Sequence, residues 1–252
     1  MDSQLLPYLD RAFLESENAR PLRILAEYLE PLGRFRAQNI QDTVVIFGSS
    51  RMLEGSRYYG EARELAKRLT EWSQTLEGAH HRFVVTSGGG PGIMEAANRG
   101  AREAGGKTIG LNIKLPFEQG VNRYVTEGLH FEFNYFFMRK FWFAYLAKAL
   151  VIFPGGFGTL DELFETLNLM QTEKLAKQMQ IVLYGTEYWD QVLNFTPMLE
   201  SGAIVEGDLH LLQRANSPGD AFALLKTHLT THHLAPATAQ EAEAPGIAKT
   251  RS

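Results

Sequence analysis

The chain has 252 residues, of which 44% are hydrophobic and 21% are charged, and its formal net charge is −4. This composition is typical of a folded globular protein and excludes a collagen, a mainly disordered chain and a disulfide-rich miniprotein. The absence of cysteine excludes disulfides, thiolate metal sites and thiol nucleophiles. Without a basic excess, the composition does not indicate a nucleic-acid partner.

No segment of the sequence predicts export or membrane insertion. Residues 1–20 lack the basic start and apolar core of a secretory signal. The most apolar stretch, residues 131–153, is interrupted by charged side chains and does not resemble a membrane span. We therefore expect a soluble, cytoplasmic protein that does not bind a membrane.

Residues 1–40 predict an N-terminal helical extension, because leucine and phenylalanine recur there at helical spacing. A helix over Pro21–Leu32 is expected to end at Gly33. The extension could act as a lid or as an oligomer contact. At the other end, residues 234–252 contain alanine, proline and charged residues without an aromatic side chain, which predicts a disordered tail.

Between residues 41 and 233, short apolar strands alternate with helices, and we interpret this segment as a nucleotide-binding domain. Such alternation predicts parallel strands joined by helical crossovers, and nearly pure apolar strands predict a sheet covered on both faces. The fold class is therefore α/β, a Rossmann-like doubly wound parallel sheet. The predicted strands are Thr43–Phe47, Phe83–Thr86, Lys107–Ile113, Ala149–Phe153 and Gln180–Tyr184, with a possible strand at Tyr124–Thr126. The predicted helices include Arg57–Leu76, Ile93–Ala104, Tyr135–Lys148 and Glu187–Leu199.

Three of the predicted strands end in glycine-rich turns. Ligands of open parallel sheets bind beyond the carboxyl ends of the strands, where glycine lets a ligand approach the backbone amides. The next helix adds free N–H groups and the positive end of its dipole. The three turns together predict an anion site, and we interpret the anion as a phosphate. They are Gly48-Ser49-Ser50, Gly88-Gly89-Gly90-Pro91-Gly92 and Pro154-Gly155-Gly156-Phe157-Gly158-Thr159.

The turns do not match the common nucleotide motifs. A P-loop requires lysine before its Ser or Thr, but Gly158-Thr159 has none. The dinucleotide fingerprint should follow the first strand, where Gly48-Ser49-Ser50 stands instead. A nicotinamide enzyme is therefore disfavoured.

Charged residues near these turns allow two interpretations each. Thr159 and Glu162 could form a capping box, or Glu162 could be a catalytic carboxylate beside a bound phosphate and sugar. Arg139 and Lys140 could form salt bridges within an apolar helix, or face the phosphate pocket. Glu95 could favour the dipole of its helix or hold ribose hydroxyls.

Other clusters predict no chemistry. His228 and His232 are spaced by one helical turn but have no acidic companion, so we expect a solvated helix end and no metal site. The aromatic residues of 131–145 are interpreted as core or dimer interface.

Two of the motifs resemble those of the Lonely Guy (LOG) family, often mislabelled "lysine decarboxylase". The segment Pro154–Glu162 matches the family pattern PGGxGTxxE in full, and Gly88–Ala96 matches the family's glycine turn and helix start, with Met94 in the GPGIMEA form. The Arg139-Lys140 pair lies where the family carries Arg-Lys. The family often has Met-His-Glu before that pair, whereas Phe136-Phe137-Met138 stands here, which leaves the substrate preference open. The resemblance covers about residues 42–200.

The resemblance implies a nucleoside 5′-monophosphate phosphoribohydrolase, which releases a free base of adenine or cytokinin type and ribose 5-phosphate. It implies AMP nucleosidase or cytokinin-biosynthesis activity, no cofactor, and homodimers or larger assemblies of dimers. Glu162 would stabilise positive charge on the ribose and orient water, and Arg139 would hold the substrate, aid departure of the base or position Glu162. Amides of the glycine turns would bind the 5′-phosphate, and Glu95 would bind the ribose. The residues assigned to substrate binding are Gly48, Ser49, Gly88, Gly89, Gly90, Met94, Glu95, Lys140, Gly155, Gly156, Gly158 and Thr159.

Two alternatives stay open at this point. The protein could be a non-catalytic nucleotide or molybdenum-cofactor carrier on the same fold, although both Arg139 and Glu162 are retained. It could also act on another phosphoribosyl compound. A lysine decarboxylase is rejected, because no lysine stands out as the partner of pyridoxal phosphate. The preferred base, the size of the assembly and the role of residues 1–40 do not follow from the sequence.

Overall fold

The computed structural model describes residues 6–78, 80–115, 120–175 and 177–234. Within these ranges, seven strands form one sheet in which every neighbouring pair is parallel. The strands are β1 Thr43–Phe47, β2 Val84–Ser87, β3 Thr108–Ile113, β4 His130–Phe133, β5 Ala147–Ile152, β6 Gln180–Tyr184 and β7 Leu212–Ala215. Their order across the sheet is β4-β3-β2-β1-β5-β6-β7, so the predicted doubly wound α/β fold is confirmed.

Helices precede the sheet and connect its strands. They are α1 Arg11–Glu15, α2 Arg20–Ala37, α3 Arg57–Ser73, α4 Ile93–Glu103, α5 Phe136–Leu146, α6 Phe157–Gln171, α7 Thr186–Val192, α8 Thr196–Glu200, α9 Glu206–Leu209 and α10 Pro218–Leu229. Short 3-10 turns, Pro7–Leu9 and Glu17–Ala19, flank α1, and a π-helical turn, Thr230–Leu234, follows α10.

The sheet lies between two layers of helices because its central strands are apolar on both faces. In β1, Val45 and Phe47 face the core beneath α2, α5, α6 and α7, whereas Val44 and Ile46 face the core beneath α3, α4 and α10. Successive side chains of a strand point to opposite faces, so one apolar run serves both cores.

The strand order reverses between β1 and β5. From β1 the chain proceeds outward through β2, β3 and β4, and it then returns to add β5 on the other side of β1. The loops that follow β1 and β5 leave the sheet at this reversal, and ligands of such sheets bind there. The Ser49 amide donates to the Pro154 carbonyl at 3.0 Å, so the two loops meet at this point.

Two predictions for the segments around β4 and β5 were wrong. Tyr124–Thr126 is a loop, although Val125 is β-branched, because the side chain of Asn122 accepts from the Tyr124 amide in a turn. The strand lies instead at His130–Phe133, where Phe131 and Phe133 alternate with more exposed residues. Alternation of this kind signals a half-buried strand and was missed. The helix predicted to Lys148 ends at Leu146, because Ala147 and Lys148 already belong to β5.

Other element boundaries also required correction. The helix predicted to end at Gly33 continues to Ala37, because Phe35 is buried in the core and offsets the low helix propensity of glycine. The helix predicted over Glu187–Leu199 is two helices, α7 and α8, and Pro197 lies in the first turn of α8. Strand β7 and helix α10 were not predicted.

Of the predicted tail, Leu234 ends the π-helical turn, and residues 235–252 lie outside the described part of the chain. Among the described residues, no helix combines the length and apolarity that a membrane crossing requires.

The amino-terminal edge of the sheet carries a partly buried polar cluster. Arg82 donates to the buried Asp42 carboxylate at 2.8 Å and also to the carbonyl of His233. The Nε2 atom of His233 lies 2.9 Å from the Gln178 carbonyl oxygen. The centres of the His228 and His233 rings are 5.5 Å apart. His232 is exposed, but His228 is half-buried, so the predicted solvated helix end is only partly correct. Burial lowers the pKa of His228 to about 4 and that of His233 to about 3.

We expect the two histidines to contribute stability at neutral pH that is lost as the pH falls from about 6.5 towards 4. Because the folded state lowers both pKa values below the unfolded value of about 6.5, the unfolded chain binds more protons in this window. The melting temperature of His228→Gln should therefore fall less steeply with pH than that of the wild type. His80→Gln, in an exposed loop, is the matched control. Equal pH slopes for wild type and His228→Gln would contradict this explanation.

Candidate functional site

The centre of the site is a buried pair formed by Arg139 on α5 and Glu162 on α6. One guanidinium nitrogen lies 3.9 Å from Glu162 Oε1, and Glu162 is only 6% exposed. Arg139 lies in the first turns of its helix and Glu162 in the second turn after the glycine-rich loop that follows β5. The sequence predicted both residues, and the fold brings them together.

Burial dominates the electrostatics of Glu162. It raises the pKa of the carboxyl to about 7, against the opposing charges of Arg139 and Lys140, while Glu165 and Asp161 raise it further. Burial also lowers the pKa of Arg139 from its usual value. A carboxyl group with a pKa near neutrality is typical of a catalytic site.

Arg139 is held from three sides. Its Nε donates to the carbonyl of Leu111 in β3 at 2.9 Å, and its guanidinium lies 4.9 Å from the centre of the Phe143 ring. On the third side lies Gly88, where an added Cβ would be 2.8 Å from the guanidinium and 2.6 Å from Met94 Sδ. The glycine at position 88 therefore leaves the space that the guanidinium and the Met94 side chain occupy.

Lys140 has a different environment from Arg139. Its ammonium lies 2.9 Å from the Asp161 carboxylate and 2.8 Å from that of Glu165, and these contacts link α5 to α6. Of the two interpretations of Lys140 from the sequence, the salt bridge is the one that matches its contacts in this structure. Glu162 and Asp161 are adjacent, but only Glu162 is buried against Arg139.

The first glycine turn packs tightly on helix α4. An added Cβ at Gly48 would lie 2.7 Å from a methyl group of Ile93. The carbonyl of Ser49 accepts from the Ile93 amide at 3.1 Å, and the Ser49 hydroxyl accepts from the Arg51 amide at 3.1 Å. This turn therefore places the start of α4 beside the start of the loop after β1.

The second glycine turn is fixed by side chains that the sequence analysis missed. The Gly89 amide donates to the Ser87 hydroxyl at 3.0 Å, so it is already paired. The Asn122 carboxamide nitrogen lies 3.0 Å from the carbonyls of Gly89 and Gly90 and 2.9 Å from Asn98 Oδ1. A buried amide that follows no motif carries no sequence signal, which explains why Asn122 was missed.

The third glycine turn opens helix α6. The N-cap is Gly156 and has no side-chain cap, and Thr159 lies inside the first turn, so the capping-box interpretation was wrong. Thr159 packs on Gly155, where an added Cβ would lie 2.2 Å from its hydroxyl. Gly156 and Gly158 border open space instead. The backbone around these two glycines is therefore accessible to a ligand at the positive end of α6.

Glu95 lies in the first turn of α4, as predicted. Its carboxylate accepts from the Tyr59 hydroxyl at 2.8 Å. Burial raises the pKa of Tyr59 to about 12, so the phenol stays a proton donor. The contact orients the Glu95 carboxylate near the second glycine turn.

These features define a class of protein. A doubly wound parallel sheet, open glycines at a helix N-terminus beyond a central strand, and a buried carboxylate beside a guanidinium together form a site suited to an anionic, sugar-containing ligand. Such a site combines phosphate recognition with a carboxylate that can stabilise or transfer charge.

Comparisons with known proteins identify the family. The family model described as "possible lysine decarboxylase" matches residues 94–225, just over half of the chain. The chain therefore belongs to this family, the LOG family. The chain is 27% identical over 198 residues to the probable cytokinin riboside 5′-monophosphate phosphoribohydrolase LOG6 of Arabidopsis thaliana. The aligned region covers 78% of this chain and 93% of LOG6. It is 29% identical over 180 residues to the cytokinin riboside 5′-monophosphate phosphoribohydrolase LOG of Oryza sativa subsp. japonica, which covers 69% and 67% of the two chains.

A solved structure shows the same fold. The Moco carrier protein of Chlamydomonas reinhardtii matches with a TM-score of 0.51 and 23% identity, over 76% of this chain and 99% of the carrier. At this identity the likeness concerns the fold alone.

Proposed function

We propose that the protein is a nucleoside 5′-monophosphate phosphoribohydrolase. The observation that carries the proposal is the buried Glu162 carboxylate, 3.9 Å from Arg139 and one helical turn beyond the open glycines of α6. The names of the two plant relatives support the same reaction class. The substrates we propose are AMP and cytokinin-type riboside monophosphates.

The chemistry of the reaction explains why a carboxylate is needed. Breaking the N-glycosidic bond leaves the electron pair on the base and develops positive charge on the ribose, as in other glycoside hydrolyses. The Glu162 carboxylate stabilises that charge and orients the water whose oxygen bonds to the anomeric carbon. The base leaves with a proton, and the other product is ribose 5-phosphate. Arg139 holds the substrate and keeps the Glu162 carboxylate in position.

In this proposal the third glycine turn binds the 5′-phosphate of the substrate. The open backbone at Gly156 and Gly158 binds the 5′-phosphate at the positive end of α6. Glu95, oriented by Tyr59, binds ribose hydroxyls. Because the Gly89 amide already donates to the Ser87 hydroxyl, that amide does not bind the phosphate in this proposal. The second turn shapes the pocket instead.

The proposal includes an assembly and a location. We propose a homodimer, or a larger assembly of dimers, in the cytoplasm. Large apolar side chains are exposed on α5 and α6 near the site, among them Phe136, Phe137, Phe157 and Phe164. Exposed apolar groups that lie close together favour contact between chains.

The proposal is tested by measuring free base and ribose 5-phosphate released from a panel of nucleoside 5′-monophosphates. The panel includes AMP and isopentenyladenosine monophosphate, and the matching nucleosides without phosphate serve as controls. We expect release only from monophosphates. Saturable binding without release would favour the alternative, a nucleotide or molybdenum-cofactor carrier. Release of another phosphoribosyl product would place the enzyme in a different substrate class.

The pH dependence of this hydrolysis should show an acid limb near pH 7. Glu162 acts as a carboxylate, and burial raises its pKa to about 7, so protonation below that pH removes the active form. Below the limb, kcat/KM for AMP should fall about tenfold per pH unit. The second pKa of a phosphate ester is about 6 and would place a limb about one pH unit lower. A flat profile between pH 5 and 8 would contradict the assigned role of Glu162.

A further inference from the structure

Helix α5, which carries Arg139, has no capping side chain of its own. Its N-cap residue, Tyr135, makes no side-chain hydrogen bond to the helix. Instead, the Glu27 carboxylate of α2 accepts from the Asn134 amide at 2.8 Å and from the Tyr135 amide at 3.3 Å. A carboxylate at this end also complements the positive end of the helix dipole.

The same residue of α2 contacts α5 a second time. The indole N–H of the buried Trp142 donates to the Glu27 backbone carbonyl at 2.8 Å. The neighbouring Tyr28 ring lies 5.8 Å from the Trp142 ring and 5.6 Å from the Phe141 ring. Glu27 and Tyr28 thus fix both the start and the middle of α5.

The far end of α5 is held by the partly buried side chain of Lys177. The Lys177 ammonium donates to the carbonyls of Ala144 and Tyr145, in the last turn of the helix. Burial lowers the pKa of Lys177 well below its usual value. Both ends of α5 are therefore fixed by side chains from other segments, and little freedom remains for the helix to shift.

Arg139 lies between the two points at which α2 holds α5. We propose that Glu27 is a positioning residue, and that the N-terminal extension sets the distance between the Arg139 guanidinium and the Glu162 carboxylate. The expected effect on catalysis rests on the proposed function, but the effect on the distance between Arg139 and Glu162 does not. Helix α2 precedes the matched family segment 94–225, so the inference assigns a role to a part of the chain outside it.

The environment of Glu162 supplies a direct measure of that distance. The charged groups that face it are Arg139 and Lys140 from α5, and Asp161 and Glu165 from α6. An opposite charge a few ångströms away lowers the pKa of a carboxyl by about one unit or more. If α5 shifts, Arg139 moves away from Glu162 and the pKa of Glu162 rises. Loss of stability without a shift of α5 leaves this pKa unchanged.

The experiment is a carbon-13 NMR titration of the Glu162 carboxyl in wild type, Glu27→Ala and Glu27→Gln, with Glu162→Gln to assign the signal. Glu15→Ala removes an exposed carboxylate of the same extension that pairs with Arg11, and it is the matched control. Base release from AMP is measured on the wild type, Glu27→Ala, Glu27→Gln and Glu15→Ala. Thermal unfolding identifies any variant that fails to fold.

We expect the pKa of Glu162 to rise by about half a unit or more in Glu27→Ala and by less in Glu27→Gln, which keeps an oxygen acceptor for the Asn134 amide. For the folded variants, kcat should fall roughly 10- to 100-fold, with a smaller change in KM. Glu15→Ala should match the wild type in both readouts. If Glu27→Ala does not fold, the same direction in Glu27→Gln carries the test.

The two readouts separate the inference from the proposed function. An unchanged pKa of Glu162 in the folded Glu27 variants overturns the positioning role, whatever the activity. A raised pKa of Glu162 in the Glu27 variants, together with a wild type that releases no base, supports the positioning role and overturns the hydrolase. A lowered kcat with an unchanged pKa and an equal effect of Glu15→Ala would assign the loss to general destabilisation and overturn the inference.

Discussion

Glu162→Gln should lower kcat for base release from AMP by on the order of 10³-fold while the variant stays folded. Glutamine has almost the same shape but carries no negative charge, so it cannot stabilise the charge that develops on the ribose. Nucleotide binding should change much less, because the open glycines of α6 that we assign to the phosphate are untouched. The measurement is single-turnover base release together with AMP binding by calorimetry.

Asp161→Asn is the control for this prediction. Asp161 is the preceding residue on the same helix, is more exposed than Glu162, and pairs with Lys140, which keeps Glu165 as a partner. We expect its kcat to stay within about threefold of the wild type, since exposed ion pairs contribute little energy. Equal losses in the two variants would assign the effect to α6 as a whole and remove Glu162 from the catalytic role.

Glu162→Gln should also melt at a higher temperature than the wild type at pH 8. The folded state raises the pKa of Glu162 from about 4.5 to about 7, so ionisation of this one carboxyl costs the wild type stability as the pH rises through this interval. The variant has no charge to bury and escapes that loss. At pH 4.5 the two melting temperatures should agree. A stability gain together with an activity loss would separate the catalytic role from a structural one.

Gly88→Ala should lower kcat about 10²-fold with little change in the melting temperature. The backbone of Gly88 does not have a positive φ, so alanine is compatible with its conformation. The added methyl group would lie 2.6 Å from Met94 Sδ and 2.8 Å from the Arg139 guanidinium. Both are ends of flexible side chains that can move, so the fold survives but Arg139 leaves its place beside Glu162.

Gly60→Ala is the matched control for Gly88→Ala. Gly60 lies in α3, where an added Cβ would contact nothing within 4 Å, so alanine should raise stability slightly and leave kcat unchanged. A crystal structure of Gly88→Ala should show the guanidinium displaced from the Leu111 carbonyl. Full activity in Gly88→Ala would show that the enzyme tolerates other positions of Arg139.

The sequence by itself determined the fold class, and it predicted the edge of the sheet where the candidate site lies. The apolar run Thr43–Phe47 predicts a strand with both faces covered, and the glycine turns after β1, β2 and β5 predict a ligand at one edge of the sheet. These signals are local, because strand periodicity and the conformational freedom of glycine depend on few neighbouring residues. Glu162 and Arg139 could be predicted as candidate site residues because their motifs are also local in the sequence.

Only the tertiary structure decided which groups meet around that site. The Asn122 carboxamide that fixes the second glycine turn and the Glu27 carboxylate that caps α5 act across long stretches of chain, and neither belongs to a motif. The boundary between α5 and β5 at Ala147 also depends on the pairing of Ala147 with Thr43 of β1. The residues before Ala147 are apolar, and an apolar run is compatible with a helix as well as with a strand. Hydrogen bonds and burial between distant segments decide these features, and local sequence patterns do not encode them.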